Sequence, residues 1–435
     1  MTKLRKIWAR FLDAFWPLPT AMVVCGFALA TWLVHVDREG LVPALLANGP
    51  WIYSGGGTGA RTMLGAVASS TIGVASTAFS ITIASLSLAA GQMGPRLLRN
   101  FTRDRGNQTT LGAFLGTFTY ALTVLRSVRT TEEGAFTPHL ALSFGVLLAF
   151  ACVGMLIYFV AHVASRINVD TVVNLVGDDL RDAIARLTTL GEPVPVPSSE
   201  SESGWEETAT DVSDSRRGYL QHLDEAALSS WADRHGVTLR LLVRPGDYVF
   251  PGAPIARVSN GAPDPRGIIH SSTALGADRA SAADLEYAVR QLVEVAVRAL
   301  SAGINDPNTA TSVIDRLGAA LCDIAKVRLP SGTSRKHGRV VLVVPAVDYE
   351  GLVDAMFHPI RQHSPQSPVV SIRLLEVLAA VAECEPDASR LFALGRHARL
   401  VQMDAERVVP NPADLDDVRA RYRRFLSIAE RSSRA

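Results

Sequence analysis

Three places in this 435-residue sequence gather side chains of the kinds that do chemistry. The first is Gly303-Ile304-Asn305-Asp306-Pro307, where a helix over 283–300 is expected to end and another, running through Leu321, to begin. Gly303 suits a left-handed residue closing a helix C-terminus, Asp306 an N-cap and Pro307 the first helical position. These make a tight helix–helix corner. Two helix ends also expose backbone groups there, so Asn305 and Asp306 are the residues placed to contact a small ligand or ion. The second place is His270-Ser271-Ser272 with Asp278 and Arg279, whose Ser and His need a geometry that the sequence does not supply. The third, Gly55-Gly56-Gly57-Thr58-Gly59-Ala60-Arg61-Thr62, resembles a phosphate loop but has Ala60-Arg61 where the Walker pattern requires Gly-Lys. It reads as a flexible lead into the next helix. No HExxH, GxSxG or paired-carboxylate spacing occurs. Cys25, Cys152, Cys322 and Cys384 stand far apart without a CxxC pair, so no disulfide framework or zinc site is expected. The sequence assigns no catalytic residue, cofactor or metal.

The elements that carry these residues divide the chain in two. Hydrophobic residues are 48% of the total, and 43 Lys+Arg stand against 42 Asp+Glu. Those values, with the uneven placing of the apolar residues, exclude a disordered chain, a nucleic-acid binder driven by bulk charge and a purely cytoplasmic enzyme. Lysine occurs only at Lys3, Lys6, Lys326 and Lys336, which with the Ala-richness fits a high-GC bacterial genome. A helix needs about 20 apolar residues to cross roughly 30 Å of hydrocarbon. Residues 1–165 supply four such stretches, at about 15–36, 62–92, 107–125 and 139–163. The first is too long for a usual signal-peptide core and lacks an A-x-A-like cleavage site, so it reads as an uncleaved span. Lys3, Arg5, Lys6 and Arg10 precede it, and Arg96, Arg99, Arg103 and Arg105 separate spans two and three. The opposite loops carry Arg38, Arg61, Arg126 and Arg129, so the positive-inside rule puts both termini in the cytoplasm.

Span two carries Gly65, Ser69, Gly73, Ser76, Ser80, Ala84, Ser87 and Gly91 at spacings of three and four, hence on one helix face. That stripe permits close packing of a neighbouring helix. Alternatively it lines a hydroxyl-bearing pathway, with Phe79 or Leu86 as a constriction. Span three has its own Gly112-x-x-x-Gly116. No Asp, Glu, Lys or Arg stands at the centre of any span, which argues against a proton- or sodium-coupled carrier. Four helices make a small bundle, so a homo-oligomer is expected to form any pathway.

Beyond the spans, Val169, Val172, Val173, Val176, Leu180, Ile184 and Leu187 keep helical spacing, and residues 166–190 read as a cytoplasmic extension of span four. Residues 191–217 form an acidic Ser/Pro linker. Residues 218–435 read as a cytoplasmic α/β domain with a small β module at about 236–258. That module resembles half of a lipoyl-carrier hairpin but has no Lys for a prosthetic group. In the helix over 283–300, Leu285, Val289, Leu292, Ala296 and Leu300 form the buried face, and Glu286, Arg290, Glu294 and Arg298 a ladder of alternating sign. A buried strand at 338–344 and helices at 348–360, 372–382, 388–402 and 413–428 complete the reading.

Two long motifs carry a family resemblance. One is Phe79-Ser80-Ile81-Thr82-Ile83, Gln92-x-x-Pro95-Arg96-x-Leu98, Asp104, Gln108 and Leu111-Gly112-x-Phe114-Leu115-Gly116-Thr117-Phe118-x-Tyr120. The other is Gln291-Leu292-Val293-Glu294-x-Ala296-x-Arg298-Ala299-Leu300-Ser301-x-Gly303-Ile304-Asn305-Asp306-Pro307-x-Thr309-Ala310. Together they resemble the bacterial predicted membrane proteins catalogued as domain of unknown function 2254, with Ala302 where Pro is expected. The resemblance spans nearly the whole chain. It implies a four-span membrane protein with a C-terminal soluble part, and it brings no catalytic residues.

The expected fold class is an α-helical integral membrane protein with four transmembrane helices and a C-terminal mixed α/β cytoplasmic domain. The expected setting is a bacterial inner membrane, with the lipid bilayer and copies of the chain as partners and no nucleic acid. The leading functional expectation is an oligomeric channel-like protein with a cytoplasmic regulatory domain. The alternative is a membrane-anchored sensor or scaffold that does not transport. An enzyme at the membrane surface would require a polar pocket near His270 and Asp306.

Overall fold

A computed structural model describes residues 15–40, 53, 55–93, 104–129, 136–167, 169–190, 205, 208–259, 261–277, 279 and 285–432. Asp278, most of the acidic linker and the basic residues Lys3, Arg5, Lys6, Arg10, Arg96, Arg99 and Arg103 lie outside these. The chain divides into two compact units, Met1–Thr171 and Val172–Ala435.

The first unit contains α1 (Pro17–Arg38), α2 (Gly57–Met93), α3 (Arg105–Ser127) and α4 (His139–Ile167). Each stands where a span is expected. Pro17 starts α1 at a position where a missing N–H costs nothing, and Asp104 caps α3 by accepting from the Gly106 amide at 2.8 Å. Among the described residues three helices, Pro17–Arg38, Gly57–Leu88 and His139–Ser165, are long and apolar enough to cross a membrane. Helix α3 is not among them, and its surroundings explain why. It packs against α1, α2 and α4, and its Asn107, Gln108, Thr110 and Thr117 are buried with Phe114 and Tyr120. A helix covered by protein does not need an apolar circumference.

Glycine sets the closest approach in this bundle. A Cβ at Gly26 of α1 would fall 2.4 Å from the Gly116 carbonyl oxygen, and one at Gly116 would fall 2.9 Å from the Met22 carbonyl oxygen. Gly112-x-x-x-Gly116 is therefore the seam between α1 and α3. Tyr120 is fully buried beside Ala30, Leu64 and Leu142, and its hydroxyl donates to the Ala141 carbonyl at 2.6 Å. At the same end Asp37 of α1 accepts from the first amides of α4, Leu140 at 3.1 Å and Ala141 at 2.9 Å. A neighbouring helix thus supplies the cap that α4 needs.

The second unit begins within α5 (Val169–Leu187), whose Val172, Val173, Val176, Leu180 and Ile184 are buried as the spacing predicts, with Val169 and Leu187 half-buried. It continues through β1 (Thr189–Leu190), β2 (Thr210–Ser213), β3 (Gly218–Leu223), α6 (Glu225–Arg234), β4 (Leu239–Leu241), β5 (Tyr248–Val249), β6 (Pro254–Val258), α7 (Pro265–Ser272) and β7 (Thr273–Gly276). Then come α8 (Leu285–Ala299), α9 (Pro307–Ile324), β8 (Val327–Arg328), β9 (Thr333–Lys336) and β10 (Arg339–Val343). The chain closes with α10 (Tyr349–His363), α11 (Pro368–Cys384), α12 (Ala388–Val408) and α13 (Pro412–Ser432). The strands form a five-stranded sheet in the order β2-β6-β4-β10-β9, a three-stranded sheet β5-β3-β7 and a β1-β8 pair. Segment 236–258 is therefore not a self-contained module. Its strands are shared between two sheets, and β10 returns from about a hundred residues later to lie parallel to β4, Leu342 opposite Leu239. Leu220, Leu228, Trp231, Leu239, Ile255 and Val341 make their common core. Strand β2 lies inside the stretch read as linker, where Val212 is buried and Asp211 pairs with Arg257 at 3.0 Å.

Candidate functional site

Helix α2 buries Ala60, Leu64, Ala68, Thr71, Ala75 and Ala78 against its own bundle. At 3.6 residues per turn the Gly/Ser stripe falls on the opposite side. Gly65 is half-buried, and Ser69, Gly73, Ser76, Ser80, Ala84, Ser87 and Gly91 are exposed. A Cβ at Gly65, Gly73 or Gly91 would meet nothing within 4 Å. The small residues of α2 thus do two jobs on two faces: alanines fit the helix to its bundle, and glycines and serines form an outward stripe, flanked by exposed Ile72, Phe79, Ile81, Ile83 and Leu88. The Ser80 hydroxyl donates to the Ser76 carbonyl at 2.9 Å, and Thr77 to Gly73 at 3.1 Å, which satisfies each donor while leaving oxygen lone pairs available. Phe79 is exposed and Leu86 half-buried, both about a quarter turn round the helix from the stripe. The other helices also turn large apolar side chains outward. On α4 Phe150 is 71% and Ile157 68% exposed, and on α1 Phe27 is 53% and Trp32 60% exposed.

A second polar site fastens the other end of the bundle. The Asp104 carboxylate that caps α3 also accepts from His162 Nε2 of α4 at 2.6 Å. Gly106 makes room for that ring, since a Cβ there would fall 2.5 Å from His162 Nε2. Asp104 and His162 stand 58 residues apart, and nothing in their spacing joins them. The Gly-rich segment 55–62 is occupied by protein: a Cβ at Gly55 or Gly59 would fall 2.4 Å from the Tyr53 hydroxyl, and α2 already begins at Gly57.

At the corner of α8 and α9, Asp306 caps α9 as expected. It accepts from the amides of Asn308 and Thr309, each at 3.1 Å, and from the Thr309 hydroxyl at 2.5 Å, with Pro307 next in line. The hydroxyl bond, aided by those amides, holds the carboxyl below the usual range despite partial burial. The left-handed residue is Asn305, with φ 48°, and not Gly303. The turn is closed by the Asp306 amide on the Ala299 carbonyl at 2.8 Å, which places the reversal two residues later than the sequence predicts. Asn305 and Gly303 are exposed, and Asp306 and Pro307 half-buried. Along α8 the buried face includes Ala299, with Leu300 only half-buried, and Glu286 is buried as well. Glu286 pairs with Arg290 one turn on and with Arg244 from the β region, a long-range partner that the ladder reading did not contain. His270, Ser271 and Ser272 lie on α7. Ser271 donates to its own helix at Ile268, 3.0 Å, so no nucleophile pair forms with it.

One cluster was missed altogether. Asp354 and His358 of α10 meet His397 of α12, with one donor atom from each within 4.8 Å of the others. The Asp354-x-x-x-His358 spacing on an expected helix was the available signal. Nothing local pointed to His397.

Residues 13–380 match the family described as "Predicted membrane protein (DUF2254)". Over 439 positions the chain is 30% identical to an uncharacterized protein of Mycobacterium tuberculosis, covering 96% of this chain and 81% of the relative. A similar uncharacterized protein of Mycobacterium bovis is 30% identical with the same coverage, 96% and 81%. No solved structure matches. The membrane-sized helices, the α3 core motif and the long corner motif thus meet in one place: the chain belongs to this family of predicted membrane proteins.

Proposed function

We propose that this chain is the subunit of a homo-oligomeric, channel-like protein of a bacterial inner membrane. In this reading all four helices span the bilayer with both termini in the cytoplasm. The outward stripe of α2 meets its copies around a pathway for ions or small solutes, and the second unit regulates it. One observation carries the reading: the outward side of α2 carries a stripe of Gly, Ser and Ala, flanked by exposed Ile72, Phe79, Ile81, Ile83 and Leu88, whereas α1 and α4 turn large apolar side chains such as Phe27, Trp32, Phe150 and Ile157 outward. Lipid is well served by Phe, Ile and Trp. Small residues with hydroxyls serve a partner backbone or a narrow aqueous path. Helix α3 counts as the fourth span because it lies among the other three. The test is reconstitution into liposomes. Ion flux that changes when Ser80→Leu fills the stripe supports the proposal, and an impermeable, tightly assembled protein overturns it.

A further inference from the structure

We propose that Asp354, His358 and His397 form a binding site in the second unit for a divalent first-row transition-metal ion such as zinc. Asp354 and His358 stand one turn apart on α10, and His397 reaches them from α12, which packs on α10. Nε2 of His397 lies 2.7 Å and Nε2 of His358 3.2 Å from the same Asp354 oxygen, and the two rings are 4.5 Å apart between centroids. Zinc–nitrogen and zinc–oxygen bonds of about 2.0–2.2 Å in tetrahedral geometry hold their ligand atoms roughly 3.3 Å from one another. An ion therefore needs the His397–Asp354 pair to part by about 0.6 Å and the His358–Asp354 pair by about 0.1 Å, while the two imidazole donors already lie within 4.8 Å of each other. Two imidazoles and one carboxylate suit zinc and its neighbours, whereas magnesium and calcium take oxygen.

The surroundings fit an ion as well. His397 is fully buried against Phe357, and its Nδ1 has no hydrogen-bond partner. His358 and Asp354 are 27% and 34% exposed, which leaves a route for the ion and a fourth coordination position toward solvent. Two arginines adjoin the site, and each has a second carboxylate. Arg396 pairs with Asp354 and also with Glu350 at 3.3 Å. Arg361 donates to His358 Nδ1 at 3.3 Å and pairs with Asp404. A metal that takes the Asp354 oxygen and moves the His358 proton to Nδ1 shifts both guanidiniums onto Glu350 and Asp404, and neither is left alone.

The test is zinc binding by the full chain in detergent, stripped with a chelator and titrated against a chromophoric competitor. One tightly held zinc per chain is expected, with an X-ray absorption spectrum showing two imidazoles, oxygen and no sulfur. His358→Gln, at the open side, should weaken binding at least about 10-fold with an unchanged circular dichroism spectrum. No stoichiometric zinc, a sulfur-containing shell, or folded His358→Gln and Asp354→Asn variants that bind as tightly as the parent overturn the proposal. If a variant does not fold, the absorption spectrum of the unaltered chain decides. None of these readouts depends on ion flux.

Discussion

Asp306 shows what a single carboxylate contributes at the residue scale. It caps α9 through two amides and a hydroxyl. Asp306→Ala should destabilise the second unit by about 0.5–2 kcal/mol, read as a lower thermal midpoint of the full chain in detergent. The same carboxyl gives a pH dependence. Its pKa is lower in the folded chain than in the unfolded one. Its contribution is therefore complete above the unfolded carboxylate range, and it fades as pH falls through that range toward the folded value. The acid-side loss of midpoint should be smaller in Asp306→Ala than in the parent chain. The cap was legible because Asp-Pro after a helix end has a local meaning. The left-handed turn at Asn305 was not, because it depends on which carbonyls the returning backbone reaches. His397 was less legible still. It meets Asp354 at 2.7 Å only because two helices cross there, and sequence periodicity says which face is buried but not what it faces.

At the scale of elements, the two glycine patterns of the membrane unit predict opposite behaviour. Gly116 sits where a side chain would strike the backbone of α1, so Gly116→Leu should separate α1 from α3 and leave no monodisperse folded protein on size exclusion. Gly73 faces open space within the chain, so Gly73→Leu should leave each chain folded and weaken only its assembly with other copies, read as a smaller, still monodisperse particle on size exclusion. The sequence placed both patterns correctly on helices but offered no means of telling which faced inward. Helix α3 illustrates the same limit. Its hydropathy is low because neighbouring helices, and not lipid, cover Asn107, Gln108 and Thr117. Strand β10 could be read as a buried strand from its valines, yet its pairing with β4 spans too much chain for local pattern to reveal.

At the scale of the whole molecule, no described residue of the chain would meet a side chain added at Gly65 or Gly73 of the α2 stripe, and the proposed oligomer sets a second copy there. Cross-linking in native membranes tests this most directly. Cys25, Cys152, Cys322 and Cys384 would first be replaced, and a single cysteine introduced by Ser76→Cys, Ser80→Cys or, as a lipid-facing comparison, Phe150→Cys. The account predicts disulfide-linked dimers on mild oxidation at positions 76 and 80 and none at 150. Dimers at 150 with none at 76 or 80 would contradict it.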